Sequence, residues 1–118
     1  MVFEEIRGYC LQKRGVTEGF PFGEETLVFK VMDKMFLLLA LDEQPTKINC
    51  KCDPEKAIEL REKYTSVQPG YHMNKMHWNT VTCDGSVANK LIFSWIDHSY
   101  DLVVDSLPKK VKAELEQL

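Results

Sequence analysis

The sequence predicts a single α+β domain, residues 1–118, in which helices pack on one antiparallel β-sheet. Apolar and polar residues alternate along short segments between residues 26 and 52, and only short turns separate these segments, as in an antiparallel meander. A long segment after residue 86 repeats its apolar residues at steps of three and four, which is typical of a helix packed on a core. The length fits one domain that buries about two-thirds of the unfolded chain's surface.

The N-terminal part is predicted to be a helix followed by a loop. Residues 2–13 form the helix, because Phe3, Ile6 and Cys10 recur at helical spacing. Residues 15–25 form the loop, because three glycines and a proline interrupt any period.

Three strands are predicted next, at residues 26–31, 35–41 and 46–52. The second is a run of seven apolar residues between turns, so we expect a central strand covered on both faces. Lys47, Asn49 and Lys51 of the third strand are predicted to point outward, while Ile48, Cys50 and Cys52 face inward.

Asp53-Pro54 predicts the start of a second helix that runs to about Tyr64. The Asp53 carboxylate can accept backbone N–H groups, and proline at the first helical position loses no hydrogen bond. The charged residues of this helix, Arg61 among them, are predicted to form a solvated, salt-bridged face.

The C-terminal half is predicted to hold one further strand and two helices. The strand covers residues 78–83 and ends at the Asp84-Gly85 turn, and a short additional strand is allowed before it. Ser86 is predicted to cap the long third helix, which Leu107-Pro108 ends. A short last helix carries Val111, Leu115 and Leu118 on one side, so the expected order is α-β-β-β-α-(β)-β-α-α.

Composition argues against a membrane or secreted protein. The longest apolar run is far shorter than the ~20 residues of a membrane-spanning helix. The first residues are acidic, where a signal peptide is basic. We therefore expect a cytoplasmic protein without membrane contact. The net charge of −3 also limits the affinity for nucleic acid, because that affinity depends on neutralising phosphates.

The four cysteines are Cys10, Cys50, Cys52 and Cys83. The close pair is separated by one residue, which matches neither a C-x-x-C motif nor a zinc-knuckle pair. Buried free thiols are the simplest interpretation, and a metal or redox role is the alternative.

The stretch around Tyr71, His72, Lys75, His77 and Trp78 is the most informative part of the chain. Residues 66–81 gather two of the three histidines, a Trp and a Tyr around one Lys, without a carboxylate. A cation beside rings can contact phosphate and stack on bases. The same residues can instead lock a loop against the sheet, with the Trp ring buried and Asn74 capping a turn.

No catalytic constellation is evident in the sequence. It contains no phosphate-cradling loop, nucleophile elbow or metalloprotease helix. His72 and His77 lie five residues apart, a poor spacing for a shared metal, although a folded loop could bring them to Cys83 or Asp84. We therefore predict a protein that is not an enzyme and that uses no cofactor or metal.

The chain also resembles a known family. The residues that carry the resemblance are His72-x-Asn74-Lys75-x-His77-Trp78-x-Thr80-Val81, then Asp84-Gly85-Ser86, Ser99-Tyr100 and Leu107-Pro108. Together they look like the MmcQ/YjbR family of small bacterial proteins, and the resemblance covers essentially the whole chain. It implies a CyaY-like (frataxin-like) α+β fold and a DNA-binding role through a double wing of β-hairpins.

On this basis we predict weak, salt-sensitive DNA binding through residues 71–78. Lys75 contacts phosphate, and His72 and His77 donate to phosphate or base edges. The complete predicted site is Tyr71, His72, Asn74, Lys75, His77 and Trp78, extended by Lys47 and Lys51 on the exposed strand face. The alternative is a protein- or small-ligand-binding module that uses the same segment as its anchor. Metal handling by acidic residues, as the frataxin-like fold suggests, is a third interpretation.

Overall fold

The computed structural model describes residues 3–118, so Met1 and Val2 of the predicted first helix lie outside the described residues. Its helices are α1 (Phe3–Leu11), α2 (Pro54–Lys63), α3 (Asn89–Ser106) and α4 (Lys109–Glu116). Its strands are β1 (Val16–Gly19), β2 (Thr26–Val31), β3 (Lys34–Ala40), β4 (Lys47–Lys51), β5 (Val67–Pro69) and β6 (Trp78–Thr82).

The strands form one six-stranded sheet in the order β1-β2-β3-β4-β6-β5, and every neighbouring pair is antiparallel. The predicted α+β class is therefore confirmed, and the short additional strand allowed before β6 is β5. The helices cover one face of this sheet, where α1 and α3 bury Ile6, Cys10, Trp95 and Ile96 against the strands. We call the opposite face, on which no helix of residues 3–118 packs, the open face.

A β-bulge in β3 explains its uninterrupted apolar run. Leu37 pairs with Phe29 while Met35 pairs with Lys30, so Phe36 is an extra residue between the two pairs. Phe36 and Leu37 are therefore both buried under the helices. Leu38 instead packs on the open face with Val28 and Trp78, so β3 buries side chains on both faces, although helices cover only one of them.

Ser99 of α3 connects the helix to the sheet at this bulge. It is fully buried, and its hydroxyl donates to the carbonyl of Phe36. The same oxygen accepts the N–H of Lys51 at 2.8 Å. One side chain thus satisfies two backbone groups that belong to β3 and β4.

The second helix begins as predicted. The Asp53 side chain caps it by accepting the N–H of Lys56, and Pro54 occupies the first turn. His98 of α3 adds a contact here, because its Nε2 accepts the Asp53 N–H at 3.2 Å.

Three local predictions were wrong. Residues 16–19, expected to be loop, form β1 on the edge of the sheet, where a short strand with few apolar residues needs only its ladder to β2. Ser86 does not cap α3. Its N–H instead bonds to the Asp84 side chain, and the helix starts three residues later, without a side-chain cap. The last helix, α4, ends at Glu116, so Leu118, predicted to share one side of this helix with Val111 and Leu115, lies beyond its end.

Candidate functional site

The loop between β5 and β6 is built around Asn74. The side-chain Oδ1 of Asn74 accepts the N–H groups of Met76 at 2.9 Å and His77 at 3.3 Å. An Asn side chain that accepts hydrogen bonds from the following residues is the usual stabiliser of such a turn. Asn74 is exposed, but its acceptor oxygen serves the loop itself.

Arg61 of α2 holds the end of this loop. Its Nε donates to Oδ1 of the buried Asn79 at 2.7 Å. Its Nη2 donates to the carbonyl of Trp78 at 3.2 Å and to the carbonyl of Lys75. The prediction that Arg61 belongs to a solvated, salt-bridged face was therefore wrong, because its guanidinium is turned towards the loop and β6.

The structure ties Lys75, His77 and Trp78 to their surroundings. The ammonium of Lys75 donates to the carbonyl of Gly70 at 3.1 Å, and the carbonyl of His77 accepts the N–H of Cys52 at 2.8 Å. Trp78 is only 8% exposed and packs on the open face with Val28 and Leu38. The interpretation in which the Trp78 ring is buried against the sheet is therefore confirmed, and the ring is not exposed for stacking.

Tyr71 and His72 are exposed residues of the loop that lie next to each other. Tyr71 is 69% exposed, and its ring lies 4.0 Å from that of His72, centroid to centroid. His72 has a φ of 59°, a left-handed conformation that is uncommon for residues other than glycine and that recurs at ligand sites.

These two side chains form one wall of a cleft of about 910 Å³ on the open face. Its floor is made by side chains of the four central strands: Thr26, Leu38, Ala40, Asn49, Thr80 and Thr82. Phe22, from the loop between β1 and β2, lies on the other wall and is 63% exposed. Since β2 and β6 are three strand spacings apart in the sheet, the two walls are separated by about 14 Å.

The charged residues that line the cleft are Glu25, Asp42, Glu43 and Lys47. Lys47 lies 3.8 Å from Glu43, nitrogen to oxygen, so these two charges largely offset each other. The cleft therefore carries net negative charge at the end where β2 begins and β3 ends.

The structure thus divides the predicted site. Tyr71, His72 and Lys47 line the cleft, whereas Asn74, Lys75, His77, Trp78 and Lys51 do not. Sequence reasoning missed Phe22, Thr80 and Arg61. Thr80 and Arg61 each had a signal in the sequence, since Thr80 is one of the residues that carry the family resemblance. Arg61 continues the spacing of Ala57, Leu60 and Tyr64, which places it on the buried side of α2.

The cysteines are all buried and free. Burial raises the pKa of the Cys10 thiol to about 12 and that of the Cys83 thiol to about 11, and it also raises the pKa of Cys50 and Cys52. Such thiols are poor nucleophiles, because the thiolate is the reactive form. Within residues 3–118, no group of three or more His, Cys, Asp or Glu side chains is arranged to hold a metal ion.

The chain forms a small α+β domain. Helices cover one face of its sheet, and the cleft lies on the other, open face. The YjbR family profile matches residues 11–102, and the chain therefore belongs to the YjbR family. It is 33% identical over 118 residues to an uncharacterised Escherichia coli protein named YjbR, with full coverage of both chains. It is 41% identical over 91 residues to the uncharacterised E. coli protein YbdF, covering 77% of this chain and 75% of the relative.

Solved structures agree with the fold. A Deinococcus radiodurans protein with a DUF419 domain superposes with a TM-score of 0.92 at 39% identity, over 96% of this chain and 86% of its own. A Pseudomonas syringae protein gives a TM-score of 0.75 at 29% identity, over 86% of this chain and 98% of its own. None of the helices in the described part of the chain is long and apolar enough to cross a membrane.

Proposed function

We propose that the protein is a non-enzymatic binding protein that takes a small molecule into the open-face cleft. The cleft itself carries this proposal. Its volume of about 910 Å³ lies within the range of about 300–1,000 Å³ that is usual for small-molecule sites. Exposed rings on two walls and polar groups on the floor are what such a site needs for affinity and orientation.

The floor and one wall are held in place before any ligand arrives. The hydroxyl of Thr80 donates to Oδ1 of Asn49, and the Thr80 hydroxyl oxygen accepts the N–H of Tyr71 at 2.9 Å. These bonds join β4, β6 and the loop that carries Tyr71 and His72. A site built on strands and fixed in this way loses less conformational entropy on binding.

The chemistry of the lining supports binding rather than catalysis. The lining residues include no Ser or Cys, and the Thr80 hydroxyl already donates to Asn49. A nucleophile needs an adjacent base to activate it. The partner of the Thr80 hydroxyl is the side-chain amide of Asn49, which cannot act as such a base.

A fragment screen followed by two-dimensional NMR of the ¹⁵N-labelled protein tests this proposal. We expect hits to shift the backbone resonances of Thr26, Asn49 and Thr80. Ala40→Phe, which fills the floor of the cleft, should abolish the shifts. Thr17→Phe is the matched control, because Thr17 is exposed on β1 and does not line the cleft. The proposal fails if no fragment shifts these resonances, or if Ala40→Phe binds as well as the parent.

A second candidate function is nucleic-acid contact through the 71–78 segment, and the distribution of bases on the open face favours it. Register and alternation place Lys30 and Lys51 at the end of this face near Trp78, away from the acidic end of the cleft. Exposed Lys75 and the Tyr71 ring lie on the adjoining loop. A strand laid across this end would meet cations and one ring.

Fluorescence anisotropy with a labelled single-stranded oligonucleotide, repeated over a range of salt concentrations, tests the second candidate. Loss of one phosphate contact in Lys75→Ala should weaken binding and reduce the slope of log K against log salt by about 1. Lys110→Ala, an exposed change on α4, is the control. Equal slopes for Lys75→Ala and the parent would rule out this contact.

A further inference from the structure

We infer that the ligand of the open-face cleft is a small organic cation. This inference rests on the proposed function and narrows it to one class of ligand. The arrangement that supports it is a pair of uncompensated carboxylates at one end of the cleft, with exposed aromatic rings on both walls.

The carboxylates are brought together by the sheet. Thr26 and Ala40 are paired across β2 and β3, and the next backbone bond, from the Leu41 N–H to the Glu25 carbonyl, measures 2.8 Å. Glu25 is thus opposite Leu41, and Asp42 is the next residue after Leu41, so Glu25 and Asp42 lie at the same end of two paired strands. Both residues are exposed and line the cleft.

The charge of the lining is negative after internal pairing is counted. The cleft has three carboxylates and one ammonium group, and Lys47 is paired with Glu43. Among the residues that the structure describes, no cation forms an ion pair with Glu25 or Asp42. The formal charge of the four charged side chains is therefore −2 (one positive and three negative). This charge attracts a cationic ligand and disfavours phosphates and carboxylates.

The rings supply a second attraction for the same ligand class. Phe22 comes from the loop that leads to Glu25, and its ring is 63% exposed; Tyr71 on the facing wall is 69% exposed. A cation within about 6 Å of a ring centroid is attracted by the negative face of the ring, and alkylammonium ligands are commonly bound in this way. Since the two walls are about 14 Å apart, one cationic centre can lie within reach of only one ring, and Phe22 is the ring whose loop also leads to Glu25. This ring and the carboxylates favour an organic cation over a metal ion or an anion.

Three ligands that share one ring and differ in charge test the inference: benzyltrimethylammonium, benzyl alcohol and benzoate. Binding is followed by NMR titration at about 20 mM salt, where the Debye length of roughly 20–30 Å leaves charge effects unscreened. We expect the cation to shift the resonances of Thr26 and Thr80 and to bind about tenfold more tightly than the alcohol, with benzoate weakest.

The matched variants are Glu25→Gln with Asp42→Asn, compared with Glu24→Gln. Glu24 is an exposed carboxylate next to Glu25, but it does not line the cleft. The double variant should lower the affinity for the cation about tenfold and leave that for benzyl alcohol unchanged. Glu24→Gln should change neither, because it removes one charge from the acidic surface without altering the cleft.

Three outcomes of these titrations would overturn the inference. If benzyl alcohol binds at the cleft as tightly as the cation, the preference for charge is absent while the proposed small-molecule function survives. If Glu24→Gln weakens the cation as much as the double variant does, the attraction is that of an acidic surface. If none of the three ligands shifts the cleft resonances, the assignment to organic cations is wrong, and the fragment screen separately decides the proposed function.

Discussion

Replacing Arg61 with Met should destabilise the protein and release the 71–78 loop. Methionine keeps an unbranched stem of similar length but removes the guanidinium that donates to Asn79, Trp78 and Lys75. The change therefore isolates the hydrogen bonds from the packing of the side chain along α2.

The three acceptors are affected differently. Oδ1 of Asn79, which is 2% exposed, loses its partner, and an orphaned buried polar group costs about 1–3 kcal/mol. The Trp78 carbonyl still accepts the Gly70 N–H at 2.9 Å, so its loss is smaller. The Lys75 bond is exposed, and water can replace it. We therefore expect the free energy of unfolding to fall by about 2–3 kcal/mol.

Urea unfolding followed by tryptophan fluorescence measures this change, with Lys63→Met as the control on the exposed side of the same helix. Adding Asn79→Leu to Arg61→Met should recover part of the lost stability, because the orphaned Oδ1 is then gone; the recovery is partial, because the bond from Nδ2 of Asn79 to the Ala57 carbonyl is lost as well. Amide exchange at His77 should also accelerate in the single variant. If Arg61→Met lies within about 0.5 kcal/mol of Lys63→Met, as most surface changes do, Arg61 does not hold the loop.

Three further changes follow from the structure. Gly70→Ala should cost about 1–3 kcal/mol in thermal or urea unfolding, because its Cβ would lie 2.8 Å from Cβ of Trp78. Ser99→Ala should cost about 2–4 kcal/mol in the same assay, because two backbone partners lose the hydroxyl without a large cavity forming. Burial, aided by the charge of a nearby Lys, lowers the pKa of His98, which accepts the Asp53 N–H in its neutral form. The unfolded chain then binds more protons, so the free energy of unfolding should fall as the pH drops below the ordinary histidine value of 6.5.

Each of these predictions has a control in the same chain. Gly19→Ala adds a Cβ that meets nothing within 4 Å, so it should shift stability by less than about 1 kcal/mol. Ser94→Ala removes a hydroxyl that bonds only within its own helix turn. His98→Gln can still accept a hydrogen bond but does not titrate, so its stability should vary less between pH 7 and pH 5. Equal effects of Gly19→Ala and Gly70→Ala, equal effects of Ser94→Ala and Ser99→Ala, or an unchanged pH profile for His98→Gln would contradict the respective prediction.

Much of the fold could be predicted from the sequence because its central elements are governed by local rules. Leu27, Phe29 and Val31 of β2 recur at every second residue, Asp53-Pro54 marks the start of α2, and Leu107-Pro108 ends α3. Strand β1 could not be predicted, because four residues of mixed polarity become a strand only through pairing with β2. The bulge at Phe36 likewise depends on the facing strand and on Ser99, neither of which a local pattern reveals.

The candidate site was only partly predictable, and for a different reason. The 71–78 segment stood out by composition, but composition does not tell which of its groups are used internally. Lys75 and Asn74 bond within the loop, whereas Tyr71 and His72 face the cleft. Phe22 is far from them in the sequence and faces the same cleft only because the β1–β2 hairpin lies at the other side of the sheet.

The buried cysteine thiols can be used to measure how the folded protein opens transiently. Cys10 and Cys50 are 0% and 3% exposed, and burial holds their pKa values high. An alkylating reagent can therefore modify them only when the chain transiently opens. Because they come from a helix and a central strand, their labelling rates report directly how often those elements separate, under native conditions and without denaturant.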